Sequence, residues 1–186
     1  AGLAPQLRLP LLDLAAPVIT ARPPAELQAL TATLAELTMT DGRVSLFEYC
    51  LTRLVAGYID DALDPSRRSK PGSGHLARSR DATLALLAAI AAAGNDDQGA
   101  GAHAFRTGVA VVPPGDAASY LAPTSSWDAL DAGWPALDSL AGPDKARLVE
   151  AMVAAVRDDG VLNLHEAELL RTACRLVHCP LPTFVA

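Results

Sequence analysis

Aromatic residues are scarce in this chain: three Phe, three Tyr and two Trp, together 4% of the sequence. A β-sandwich builds its core from β-branched and aromatic side chains, so the shortage argues against one and for helices packed through Leu, Ala and Val. Cysteine is sparse too. Cys50, Cys174 and Cys179 are an odd number, ill suited to a disulfide framework and suited to a reducing compartment. Basic charge is in deficit, with 15 Lys and Arg against 21 Asp and Glu and a net charge of −6. That is the reverse of what a free-standing nucleic-acid binder carries, which sets nucleic acid aside as a partner. Long apolar runs are missing as well. The longest apolar stretch, Ala82 to Gly94, falls short of the roughly 20 residues a bilayer helix needs and reads as a buried helix. No signal peptide is visible. The chain starts at Ala1 without a methionine, which suggests a trimmed or processed product, and the sparse, odd cysteines point to a cytoplasmic setting.

What is present is hydrophobic mass, 51% of 186 residues, enough for a real core. The apolar periodicity is helical, and an all-α fold of about seven helices is expected. Residues 1–23 read as a lead-in segment punctuated by Pro10 and Pro17, where any helix is short or kinked. Residues 24–186 read as a single helical domain. Leu27, Leu30, Leu34 and Leu37 recur in steps of three and four, the stripe of a helix packed on one face. Asp41-Gly42 ends that helix, and Ser45-Leu46-Phe47-Glu48 opens the next with a capping box, its expected buried stripe being Val44, Phe47, Leu51, Leu54 and Tyr58. A polar loop with Ser, Gly and Arg covers about 64–80. Helices follow at about 81–93, 99–111, 126–140, 144–158 and 163–177, with Gly142-Pro143-Asp144 as a stop-and-restart signal.

One feature repeats. Asp41-Gly42-Arg43-Val44-Ser45-Leu46-Phe47-Glu48 matches Asp159-Gly160-Val161-Leu162-Asn163-Leu164-His165-Glu166 in pattern. In each, an Asp-Gly turn is followed by an aliphatic residue, a capping residue, and Glu three residues beyond the cap. Two hairpins related by a pseudo-two-fold are the expected arrangement. Read structurally, Gly supplies the left-handed turn and Glu answers the cap. Read chemically, Asp-Gly with Glu seven residues on reproduces the second half of a calcium loop. The first half is missing, so Asp41, Glu48, Asp159 and Glu166 could hold a weak cation only if the two turns met.

Other constellations fall short of a site. His165-Glu166-Ala167-Glu168-Leu169 begins like the HExxH zinc helix, but Leu169 stands where the second His is needed. Cys174 and His178, four apart with Cys179 adjacent, lack a second ligand cluster. His75 and His103 read as solvated. No nucleophilic triad and no phosphate-binding Gly loop can be assembled. No catalytic residue is assigned. Arg67, Arg68, Lys70, Arg78 and Arg80 concentrate basic charge between 67 and 80. They form either a solvated loop or a contact with a partner or with anionic lipid headgroups, at about 1 kcal/mol per basic residue.

Leu9-Pro10-Leu11-Leu12-Asp13-Leu14-Ala15, followed by a helix and Asp41 through Leu51, resembles the C-terminal region of bacterial HtpX-like, CAAX-prenyl-protease-like membrane zinc metallopeptidases. The paired Asp-Gly hairpins are also similar to the TerB-like helical fold. The resemblance covers both ends of the chain and leaves the Ala-rich middle unmatched. It implies a parent with transmembrane helices and an HExxH domain upstream, with zinc bound there and not in this chain. The implied role is a non-catalytic module at the cytoplasmic face of the inner membrane, serving regulation, substrate presentation or docking to the upstream domains. The alternative is a free-standing TerB-like protein of metal or envelope stress.

Overall fold

The structure, a computed structural model, describes residues 2–38, 44–66, 72–112, 118–123 and 127–183. The described residues form eight α-helices and one 3₁₀ turn, with no strand beyond a single parallel bridge between Gly74 and Leu140. The all-α expectation holds. The contacts divide the chain into two compact units, residues 1–70 and 71–186. This division differs from a lead-in followed by one domain, and its boundary falls inside the polar loop.

The first unit contains α1 (Pro5–Thr20), α2 (Pro24–Thr38) and α3 (Leu46–Leu63). Helix α1 is the element beyond the expected seven. It runs sixteen residues with Pro10 and Pro17 inside it, where a short or kinked helix was expected. A proline inside a helix costs about 3 kcal/mol. Tertiary contact offsets this, because Leu9 and Ala16 are buried and Tyr58 Oη of α3 donates to Asp13 Oδ1 at 2.7 Å. Arg8 of α1 also stacks over the Phe47 ring, 5.4 Å from its centroid. Leu27, Val55 and Ile59 form the core between α2 and α3, with Leu12, Ile19, Leu30, Leu34 and Leu51 packed against it. The buried face of α3 is Tyr49, Cys50, Leu54, Val55 and Ile59, with Asp61 buried near its end. Of the expected stripe only Leu54 is fully buried. The helix faces α1 and α2 together, which rotates its buried face away from the single stripe its periodicity suggests.

The second unit contains α4 (Arg80–Gly94), α5 (Gln98–Val109), α6 (Asp128–Asp138), α7 (Gly142–Val156) and α8 (Leu164–Leu176). Helix α4 touches the other four, and every side chain from Leu86 to Ala91 is buried. A helix apolar on all sides belongs in the middle of a bundle, as the Ala82–Gly94 stretch foretold. Helices α5 and α7 approach closely at Gly108, where a Cβ would lie 3.0 Å from the Ala151 carbonyl. The end of the polar loop is anchored here. Gly74 N–H donates to Ser139 O at 2.8 Å, Ala141 N–H donates to Gly74 O at 2.9 Å, and Leu76 is buried in a 3₁₀ turn.

Candidate functional site

The repeat is realised as two capping boxes, one in each unit. At the start of α3, Ser45 Oγ accepts from Glu48 N–H at 3.3 Å, while Glu48 Oε2 accepts from Ser45 Oγ at 2.7 Å and from Ser45 N–H at 2.8 Å. These bonds, the hydroxyl's first, hold the Glu48 carboxyl below its usual range. At the start of α8, Glu166 N–H donates to Asn163 Oδ1 and Asn163 N–H donates to Glu166 Oε2, both at 3.0 Å.

The two copies then diverge. Glu166 is only 2% exposed and its carboxylate lies against Gly94, where a Cβ would collide with it. Burial raises its pKa, opposed by the Asn163 backbone bond and assisted by the charge of Asp159. Asn163 also donates through Nδ2 to Ala93 O at 3.4 Å and Gly94 O at 3.2 Å, so one side chain caps the start of α8 and the end of α4.

Asp159 Oδ1 accepts from Val161 N–H at 2.8 Å, and Gly160 takes φ 77. These are the Asx bond and left-handed glycine that a tight turn requires. Asp159 and Glu166 are thus engaged in turn and cap. Asp41 lies outside the described residues, and Glu48 belongs to the first unit. Among the described residues, no group of three or more His, Cys, Asp or Glu side chains is arranged to hold a metal ion. Leu169, in the place of the second zinc ligand, is a core residue, 0% exposed.

Arg67, Arg68 and Lys70 also lie outside the described residues. Arg78 and Arg80 flank Ser79 at the start of α4 and, with alanines of α4 and α6, line a groove of about 630 Å³. Beside it, an apolar cleft of about 360 Å³ is lined by Leu84, Ala88, Phe105, Leu121, Trp127 and Leu130.

Histidine chemistry was the part missed. His75 and His103 are exposed as expected, yet each is bonded to a carboxylate: His75 Nδ1 to Asp144 Oδ2 at 3.1 Å, and His103 Nδ1 to Asp158 Oδ2 at 2.6 Å. Asp158 also accepts from Thr107 Oγ1 at 2.6 Å, which ties α5 to the turn after α7. Burial alone would raise Asp158. The bonds from Thr107 and His103, with the charges of His103 and Arg106, bring it below its usual value. At the other end of the unit, Asp138 Oδ1 accepts from Lys145 Nζ at 3.1 Å and contacts His178 Nδ1 at 2.8 Å. His178, just past α8, has φ 55. The three histidine pairs join residues 40 to 69 positions apart, beyond the reach of local patterning.

On the first unit, Leu7, Leu11, Leu14 and Val18 stand exposed at 51%, 51%, 77% and 73%. Their spacing of four, three and four places them on one side of α1. No described helix is long and apolar enough to cross a membrane. Compared with protein-family models, curated proteins and solved structures, the chain matches none.

Proposed function

We propose that this chain is a non-catalytic docking module of a membrane-bound zinc metalloendopeptidase, held at the cytoplasmic face of the inner membrane by the domains that precede it. The observation that carries the docking role is the exposed aliphatic stripe of α1, Leu7, Leu11, Leu14 and Val18. Single exposed apolar residues are ordinary, but four in a row along one helix form a patch of the kind that marks a binding surface. The protease setting rests on the resemblance of the segment around Asp41 to Leu51. Zinc and the catalytic groups belong to the upstream domain, and the repeat's Glu48 and Glu166 serve helix capping in this chain.

The test begins with the reading frame ahead of Ala1, which should encode transmembrane segments and an HExxH helix. A start codon immediately before Ala1 would overturn the proposal. In the full-length parent, Leu11→Glu with Leu14→Glu should reduce proteolysis of a membrane substrate while the helical content of the isolated chain is unchanged. Proteolysis at the wild-type rate would remove α1 as the docking surface.

A further inference from the structure

Helix α8 ends in a Schellman motif. His178 N–H donates to Arg175 O at 3.2 Å, Cys179 N–H donates to Cys174 O at 2.8 Å, and His178 between them adopts the left-handed conformation. In this motif the third residue from the helix end meets the second residue beyond it, usually through an apolar contact. Here both positions are cysteines. Along an uninterrupted helix, residues five apart point about 140° away from each other. The left-handed residue reverses the chain and brings them to the same place.

The separation follows from the backbone. With standard bond lengths, a 2.8 Å bond from Cys179 N to Cys174 O keeps the two Cα atoms within about 6.7 Å of each other. Disulfides span Cα separations of roughly 4.4–6.8 Å. Both thiols are free, with Cys174 buried and Cys179 partly exposed. We propose that Cys174 and Cys179 are a modification site, closing a reversible intrachain disulfide by exchange with a small-molecule disulfide of the glutathione type.

The order of steps follows from exposure. Cys179 loses its proton to solvent, and its thiolate attacks one sulfur of the small disulfide. That S–S bond breaks, one small thiolate leaves, and a mixed disulfide forms on Cys179. Cys174 then loses its proton and attacks Cys179 Sγ, expelling the second small thiolate. The chain is oxidised by two electrons and loses two hydrogens, and the small disulfide is reduced to two thiols. Burial raises the Cys174 thiol to about 12, with Cys179's charge adding to it. Burial and Asp138 also raise Cys179, partly opposed by Lys145. The pair is therefore slow to react at neutral pH and would record sustained oxidation. Closing it locks the cap that presents His178 to Asp138, the joint between α8 and the corner of α6 and α7.

The test uses the full folded chain incubated with oxidised glutathione, then alkylated, digested with trypsin and weighed. Peptides 172–175 and 176–186, separated by cleavage after Arg171 and Arg175, should appear joined. The chain should be two hydrogens lighter, with Cys50 as its one remaining alkylatable thiol after unfolding, and dithiothreitol should reverse the change. Cys174→Ser should instead keep glutathione on Cys179, and Cys179→Ser should leave Cys174 unmodified. Persistent glutathione on Cys179 of the wild-type chain would overturn the proposal. So would two unreacted thiols at high oxidant, or a bridge involving Cys50.

Discussion

Glu48 and Glu166 occupy the same position of one repeat, yet the fold gives them opposite acidities. Glu48 sits near solvent with its carboxylate bonded by Ser45, so its folded-state pKa is depressed below the ordinary 4.5. Its stabilisation is present above that value and is lost as pH falls through the folded pKa. Glu166 is buried with a raised pKa, so the protonated form is favoured in the fold. Keeping it charged costs stability, and that cost grows as pH rises from 4.5 through the folded pKa. Glu48→Gln should therefore be destabilising at pH 7, with the cost shrinking as pH falls through the folded pKa of Glu48. Glu166→Gln should improve relative to the wild type between pH 4 and pH 7, because Gln still accepts the capping bond without the charge. Thermal melts across that range check both; parallel pH profiles for the two variants would show the copies to be equivalent. Gly94 supplies a second test. Gly94→Ala places a methyl where the Glu166 carboxylate rests, breaking the capping box at about 0.5–2 kcal/mol. In a Glu166→Ala background the same change should cost nothing or stabilise α4, where Ala is the better helix former. Additive costs in that double-mutant cycle would mean that the two residues are uncoupled.

At the level of the element, helix termini carry most of the sequence information. Ser45 and Asn163 begin α3 and α8 with the same reciprocal bonds, but Asn163 also satisfies two carbonyls at the end of α4. Ser45→Ala should cost about 0.5–2 kcal/mol. Asn163→Ala should cost more, by on the order of 1 kcal/mol, since it loses bonds to a second helix as well. Denaturant titrations of the two variants decide the order, and equal losses would show that the bonds to Ala93 and Gly94 contribute nothing. Helix α1 shows the limit of local rules. Pro10 and Pro17 predict an interrupted segment, yet Leu9, Ala16 and the Tyr58–Asp13 bond keep sixteen residues helical. Tyr58→Phe removes that bond and should loosen α1, measured as faster amide exchange over residues 5–20 with the second unit unaffected.

For the molecule as a whole, the division at residue 70 has a direct consequence. Helix α4 is enclosed by α5, α6, α7 and α8, all within residues 71–186. That fragment buries its own central helix and should fold alone, giving a cooperative melt with helical circular dichroism. A fragment that stays unfolded would show that the first unit is needed to complete its core. Ser45→Ala should then leave the fragment's transition in the full chain unchanged, while Asn163→Ala lowers it.

The sequence alone determined the helical class, the positions of seven helices to within about two residues, both capping boxes and the burial of the Ala82–Gly94 stretch. Each of these depends on neighbours within a turn or two, where periodicity and capping chemistry act. Tertiary structure decided the rest. It made α1 a helix by burying Leu9 and Ala16 and bonding Asp13 to Tyr58, and it turned the buried face of α3 toward two partners. It separated the acidities of Glu48 and Glu166 by burying only one of them. It joined His103 to Asp158 and His178 to Asp138 across stretches of chain that no local pattern spans. Cys174 and Cys179 lie between these cases: both residues are plain in the sequence, but their meeting depends on His178 taking a left-handed conformation that Gly, not His, ordinarily announces.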